Sequence, residues 1–62
     1  SDFFRDVGLL ENDIVRSVNS LPMSNRRRAI FFINEFVNER ANVFVLEVER
    51  NGKAEKLIYQ VQ

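Results

Sequence analysis

Cysteine and histidine are absent from this chain of 62 residues, which also has a single proline and only two glycines. Without cysteine no disulfide braces the fold, and without either residue the common structural metal sites cannot close. The same absences remove the Cys–His pair, the Ser–His–Asp triad and any imidazole acid or base. Nine Lys+Arg balance nine Asp+Glu, so the basic excess that drives electrostatic binding to nucleic acid is lacking. No apolar run approaches the ~20 residues that cross a bilayer, and no stretch has the basic start and apolar middle of a secretory signal. The composition therefore points away from an enzyme, a cofactor protein, a metal protein and a nucleic-acid binder. The length allows one domain, 1–62, with a small core. The chain opens on Ser1 rather than Met, so a segment upstream is expected.

What is present organises itself into five elements. Phe3, Phe4 and Val7 suit a short helix that Ser1 or Asp2 could cap and Gly8 could end. Leu9 and Leu10 lead into the polar turn Glu11-Asn12-Asp13. Residues 14–19, Ile-Val-Arg-Ser-Val-Asn, read as a strand whose alternation fails at Ile14-Val15, which predicts a bulge or burial on both faces. Ser20-Leu21-Pro22 is expected to break it, since proline cannot donate to a ladder.

From Asn25 to about Asn38 the period turns helical, with Ser24 or Asn25 as the cap. Ala29, Ile33, Phe36 and Val37 form the expected buried stripe, widened by Phe32, and Ala41-Asn42 closes the helix. Arg26, Arg27 and Arg28 crowd the first turn, where the helix dipole disfavours each cation by about 0.3–1 kcal/mol. Some other demand must place them there. They suit an acidic partner, or a solvated turn whose arginine stems cover apolar neighbours.

Asn51-Gly52 is the strongest short hairpin signal in the chain. A two-residue turn there sets Arg50 against Lys53, Glu47 against Lys56, Leu46 against Leu57, Val45 against Ile58 and Phe44 against Tyr59. Apolar residues meet apolar ones and Glu47 meets a lysine. Phe44, Leu46, Leu57 and Tyr59 then share one face, the expected core. Three strands and two helices give an α+β domain with one sheet face covered and its edges open.

The run from Gly8 to Ser20, with Gly8-Leu9, Asp13-Ile14-Val15 and Val18-Asn19, resembles a PDZ domain. Ala29 matches that family's buried helical alanine, and Glu49-Arg50-Asn51-Gly52 matches its Arg-(Asp/Asn)-Gly hairpin. Two family glycines are replaced, by Asn12 and Ser20. Phe3-Phe4 before Gly8-Leu9, and the ending through Leu57-Ile58-Tyr59, are most similar to the PDZ domains of the C subunit of bacterial type II secretion systems. The resemblance implies a truncated PDZ-like α+β domain: short helix, strand, long helix and C-terminal β-hairpin. It lacks the family's opening strands and carboxylate-binding loop, and with them one wall of the peptide groove.

The resemblance further implies a non-catalytic interaction module on the periplasmic side of the bacterial inner membrane. Its role would lie in secretion-system assembly or exoprotein recognition, with membrane attachment only through an anchor in the parent protein. PDZ modules of periplasmic HtrA-like serine proteases and of intramembrane proteases share the same pattern. A His…Asp…Ser protease domain upstream in the parent gene would decide for a protease, and a single N-terminal transmembrane helix for secretion.

With Ala29 aligned, the peptide-groove positions fall on Arg26, Ile30 and Ile33, facing an extended peptide or a protein partner. Ile30 and Ile33 also suit a plain core. The adjacent pairs Phe31-Phe32 and Phe3-Phe4 cannot all face one small core, which predicts exposed aromatic surface unless the first helix covers Phe31. Open edges and exposed phenylalanine together predict a homo-oligomer in which partner chains replace the absent strands by edge pairing. Glu35 and Glu39 lie one helical turn apart, and no carboxylate falls into a catalytic or calcium-loop pattern.

Overall fold

The computed structural model describes residues 3–61, and of Phe3 and Arg26 only the backbone. The order is α1 (Phe3–Val7), β1 (Ile14–Val18), β2 (Leu21–Pro22), α2 (Arg26–Asn38), β3 (Val43–Arg50) and β4 (Lys53–Gln60). The strands form one antiparallel sheet in the order β2-β1-β3-β4. The domain is α+β, with four strands rather than the expected three. The extra strand is Leu21–Pro22, the segment expected to break the sheet. It pairs with β1 at the margin, where the missing N–H of proline faces no neighbour and costs no ladder bond.

Each turn is built on residues in the left-handed region. Gly8, at φ +99, ends α1. Its N–H donates to Arg5 O, and Leu9 N–H donates to Phe4 O, both at 3.0 Å. These are the paired bonds of a Schellman cap. The N-terminal cap expected at Ser1 or Asp2 lies outside the described residues. Asn19 and Ser20 take φ +47 and +69 between β1 and β2, and Asn51 and Gly52 take +53 and +77 between β3 and β4. Two successive positive φ values are what a two-residue hairpin turn of the type I′ class requires.

The strand β1 carries the expected irregularity. Val15 pairs with Val48 and Ser17 with Glu47, so Arg16 is an extra residue in the ladder. The bulge lets Val15 and Val18, three positions apart, both face the core side opposite Val48 and Leu46. After Val18 the backbone turns away, yet Asn19 keeps the pairing alive. Its N–H donates to Val45 O at 2.8 Å. Its side-chain oxygen accepts from Val45 N–H at 2.8 Å, and its amide donates to Val43 O at 3.2 Å.

Asn25 caps α2, its side chain accepting from Arg28 N–H at 2.9 Å. The helix ends at Asn38, as its period predicts, and Ala41 takes part in the closure that follows. Arg40 stands at φ +61, its N–H donating to Val37 O at 3.0 Å, while Ala41 N–H donates to Phe36 O at 2.8 Å. This is a second Schellman cap, with arginine where glycine is usual.

The hairpin register is the expected one over all of β3 and β4. Phe44, Leu46 and Val48 are buried against Val18, Ala29, Ile33, Met23 and Val7, with Leu57 and Tyr59 half-buried beside them. Val37 departs from the expected stripe, being 54% exposed.

One ion pair carries the β1–β3 ladder a step beyond Ile14 and Glu49. Asp13, its side chain 1% exposed, accepts from Arg50 Nε at 2.9 Å and Nη2 at 2.7 Å. The same Arg50 Nη2 donates to Gly8 O at 3.0 Å, and Leu10 N–H donates to Asp13 Oδ2 at 2.9 Å. The Arg50 hydrogen bonds, against the opposing pull of desolvation, hold the Asp13 carboxyl at about 2, below its ordinary 3.8.

Because that value is depressed on folding, its stabilisation is complete above the unfolded value and lost as pH falls through the folded one. Thermal stability should therefore drop as pH falls from about 4 through about 2, and Asp13→Asn should flatten that part of the profile, which melts at a series of pH values would read. At neutral pH the Asp13→Asn variant should lose about 2 kcal/mol in denaturant melts. Ser20→Gly and Arg40→Gly should each gain about 0.5–1 kcal/mol, raising the melting temperature by several degrees, because glycine relieves the left-handed strain.

Candidate functional site

The helix α2 rests one side on the sheet and leaves two unlike flanks. Ala29 and Ile33 point into the core at 1% and 4% exposure, with Phe32 and Phe36 half-buried. Successive residues turn about 100°, so Arg26, Ile30, Ile33 and Val37 share the flank on one side of that buried line. Of the expected groove residues, Ile33 is a core residue at the root of this flank. Ile30 is 37% exposed upon it, and the side chain of Arg26 lies outside the described residues. Val37 extends the same flank one turn further. Sequence periodicity assigned Val37 to the core because that residue follows Ile33 by four positions, yet it lies about 100° round the helix from Phe36.

The opposite flank is aromatic and covered only in part. Arg28 lies 4.8 Å from the centre of the Phe32 ring and donates through Nε to Pro22 O at 3.3 Å. A cation over an aromatic face, with its stem along the ring, supplies a reason for one arginine in the first turn. Phe32 stacks edge-on to Phe31 at 5.2 Å and approaches Phe36 at 6.5 Å, and Phe36 meets Phe44 at 6.2 Å. A file of four rings thus runs from the buried sheet face to the surface. Its outer member, Phe31, is 56% exposed, and α1 packs on β4 rather than over it.

Between α1, the 9–13 turn and the start of α2 lies an open cavity of about 550 Å³. Its floor includes Phe4, Leu9, Val15, Met23 and Ala29. Asp13 borders it, but both carboxylate oxygens are already committed to Arg50 and the Leu10 N–H. Arg16, also at the rim, pairs with Glu49. The cavity thus offers apolar surface with its central carboxylate neutralised, which suits burial of a hydrophobic segment better than proton transfer.

Glu47 accepts from Ser17 Oγ at 2.8 Å in addition to facing Lys56 across the ladder. Among the described residues no group of three or more acidic side chains is placed to hold a metal ion. Nor does any helix among them have the length and apolarity to cross a membrane. No protein-family model matches the chain, and comparison with curated proteins and with solved structures returns no match.

Proposed function

We propose that the chain is a non-catalytic protein-interaction module built on a PDZ-like core. In this reading it acts in a bacterial type II secretion system, as a periplasmic domain of the inner-membrane C subunit, in assembly or exoprotein recognition. The observation that carries the interaction reading is the apolar flank of α2. Ile30 and Val37 lie exposed on it, rooted on the buried Ile33. An extended peptide laid beside such a helix would take backbone bonds from a strand partner and side-chain selectivity from these residues.

Two further features support the PDZ-like part. Asn12 and Ser20, which stand where that family has glycine, take φ +74 and +69, a conformation in which glycine is the usual residue. Asp13 and Arg50, which belong to the two separate stretches carrying the resemblance, form the ion pair that closes the domain.

The test is selection of binders from a displayed library of random peptides, followed by affinity measurement on folded variants. Ile30→Lys and Val37→Lys should each weaken binding about tenfold or more, while Phe31→Lys, on the outward face, should leave it unchanged. Recovery of no peptide above background, or equal behaviour of the three variants, would overturn the interaction reading. Ile30→Lys placed in the parent protein should lower exoprotein release at an unchanged level of that protein, and undiminished release would count against the secretion role.

A further inference from the structure

The outer edge of β4 presents an ordered row of backbone groups. Val61 N–H donates to Asn42 O at 2.8 Å, one step beyond the pair Val43–Gln60. Odd-numbered residues of this strand therefore bond to β3, and Ala54, Lys56, Ile58 and Gln60 turn their N–H and C=O groups outward. Among the described residues no strand pairs with that edge. The strand has two halves of different character. Lys53, Glu55 and Lys56 occupy the hairpin end, while Leu57, Ile58 and Tyr59 follow. Leu57 and Tyr59 face the core side and are half-buried, and Ile58 faces the other side at 66% exposure, above every other exposed large apolar residue described.

We propose that β4 pairs antiparallel with β4 of a second copy, about a two-fold axis through Ile58. A two-fold axis normal to the sheet keeps each face continuous, so every residue must meet one of its own parity, and the axis must pass through a residue position. Charge then selects among few registers. An axis at Glu55 sets glutamate against glutamate, and one at Lys56 sets lysine against lysine. An axis at Leu57 places Glu55 against Tyr59 and Lys56 against Ile58, and one at Ala54 leaves Ile58 uncovered.

At Ile58 the pairs nearest the axis are compatible, and Glu55 meets an apolar residue only at Val61, past the end of β4. Ile58 meets Ile58 on the outer side, Leu57 meets Tyr59 on the core side, and Lys56 meets the neutral amide of Gln60. Ile58 and Gln60 are of the outward-bonding set, as is Lys56, so these pairs exchange backbone hydrogen bonds directly. The lysines of the hairpin end thus exclude wrong registers rather than pairing altogether. The area buried by one strand pair is below that of stable interfaces, so association is in the micromolar range or weaker. The inference does not depend on the peptide reading of α2, because Ile58 belongs to neither the Ile30 flank nor its assay.

Light scattering on the 62-residue chain from micromolar to millimolar concentration should show the mass doubling. Ile58→Lys, which changes an exposed side chain and should keep the native circular dichroism spectrum, should hold the mass at one chain. Phe31→Lys should dimerise like the parent. Since the chain has no cysteine, Ile58→Cys should oxidise to a covalent dimer, while Ala54→Cys should not. A mass of one chain at millimolar concentration, a doubling that survives Ile58→Lys, or equal cross-linking through Ala54→Cys would each overturn the proposal. A peptide that occupies this edge while the chain stays single would assign it to a different occupant.

Discussion

A carboxylate with almost no exposed surface, held from two sides by one guanidinium, fixes the geometry of this domain. Asp13 stands just before β1 and Arg50 closes β3, so their bidentate contact pins the start of one central strand to the end of its neighbour. Arg50 reaches on to the carbonyl of Gly8, the residue that ends α1. A chain without disulfide or metal needs some cross-link between distant segments, and here the fork of an arginine supplies it. The burial of Asp13 makes the pair all-or-none. With Arg50 in place the carboxylate accepts three hydrogen bonds, two from the guanidinium and one from Leu10 N–H, and without it a solvent-excluded charge would keep only the last. The 9–13 turn, the α1 cap and the β1–β3 ladder consequently stand or fall together.

The second constraint is the thinness of the core. One long helix and one short one cover a single face of a four-stranded sheet, so the fully buried side chains are few, with Phe44, Leu46, Val18 and Val48 the largest. A small domain of this kind cannot bury all its apolar residues. The surplus is distributed in an ordered way. Phe32 and Phe36 extend the core outward along α2, whereas Ile30, Val37 and Ile58 stand at the margins of the helix and the sheet. The margins are where a partner can reach.

The hairpin was legible in the sequence because Asn51-Gly52 dictates a two-residue turn, and a turn of known length fixes every pair beyond it. The irregularity in β1 was legible from Ile14-Val15 for a similar local reason, although its location at Arg16 depends on where β3 begins to pair. Less legible were features whose cause lies across the fold. Pro22 argues against a strand until the margin position is known, where its lost donor has no cost. The exposure of Val37 follows from its place about 100° round the helix from Phe36, at the edge of a stripe that spacing alone draws too wide. The Asp13–Arg50 pair spans 37 positions, and nothing in either local sequence marks the two charges as partners. In the candidate site, alignment on Ala29 placed Arg26, Ile30 and Ile33 along one flank of the helix, and only packing separates the buried Ile33 from the exposed Ile30.

The two flanks of α2 differ through one long side chain. On the sheet-margin side toward β2, Arg28 lies over Phe32 and anchors itself on the carbonyl of Pro22, so an aromatic surface is roofed by a cation. An arginine in a first turn opposes the helix dipole at about 0.3–1 kcal/mol, and contact with a ring plus a hydrogen bond recovers a comparable amount. Ile30 and Val37 gain no such roof from the described side chains, and neither residue can stack a guanidinium as a ring does. Arg28 therefore roofs Phe32 alone, and Ile30, Phe31 and Val37 all stay open. Because successive residues turn about 100°, Ile30 and Phe31 open to different sides, so the exposed apolar surface of α2 is aliphatic on one flank and aromatic further round.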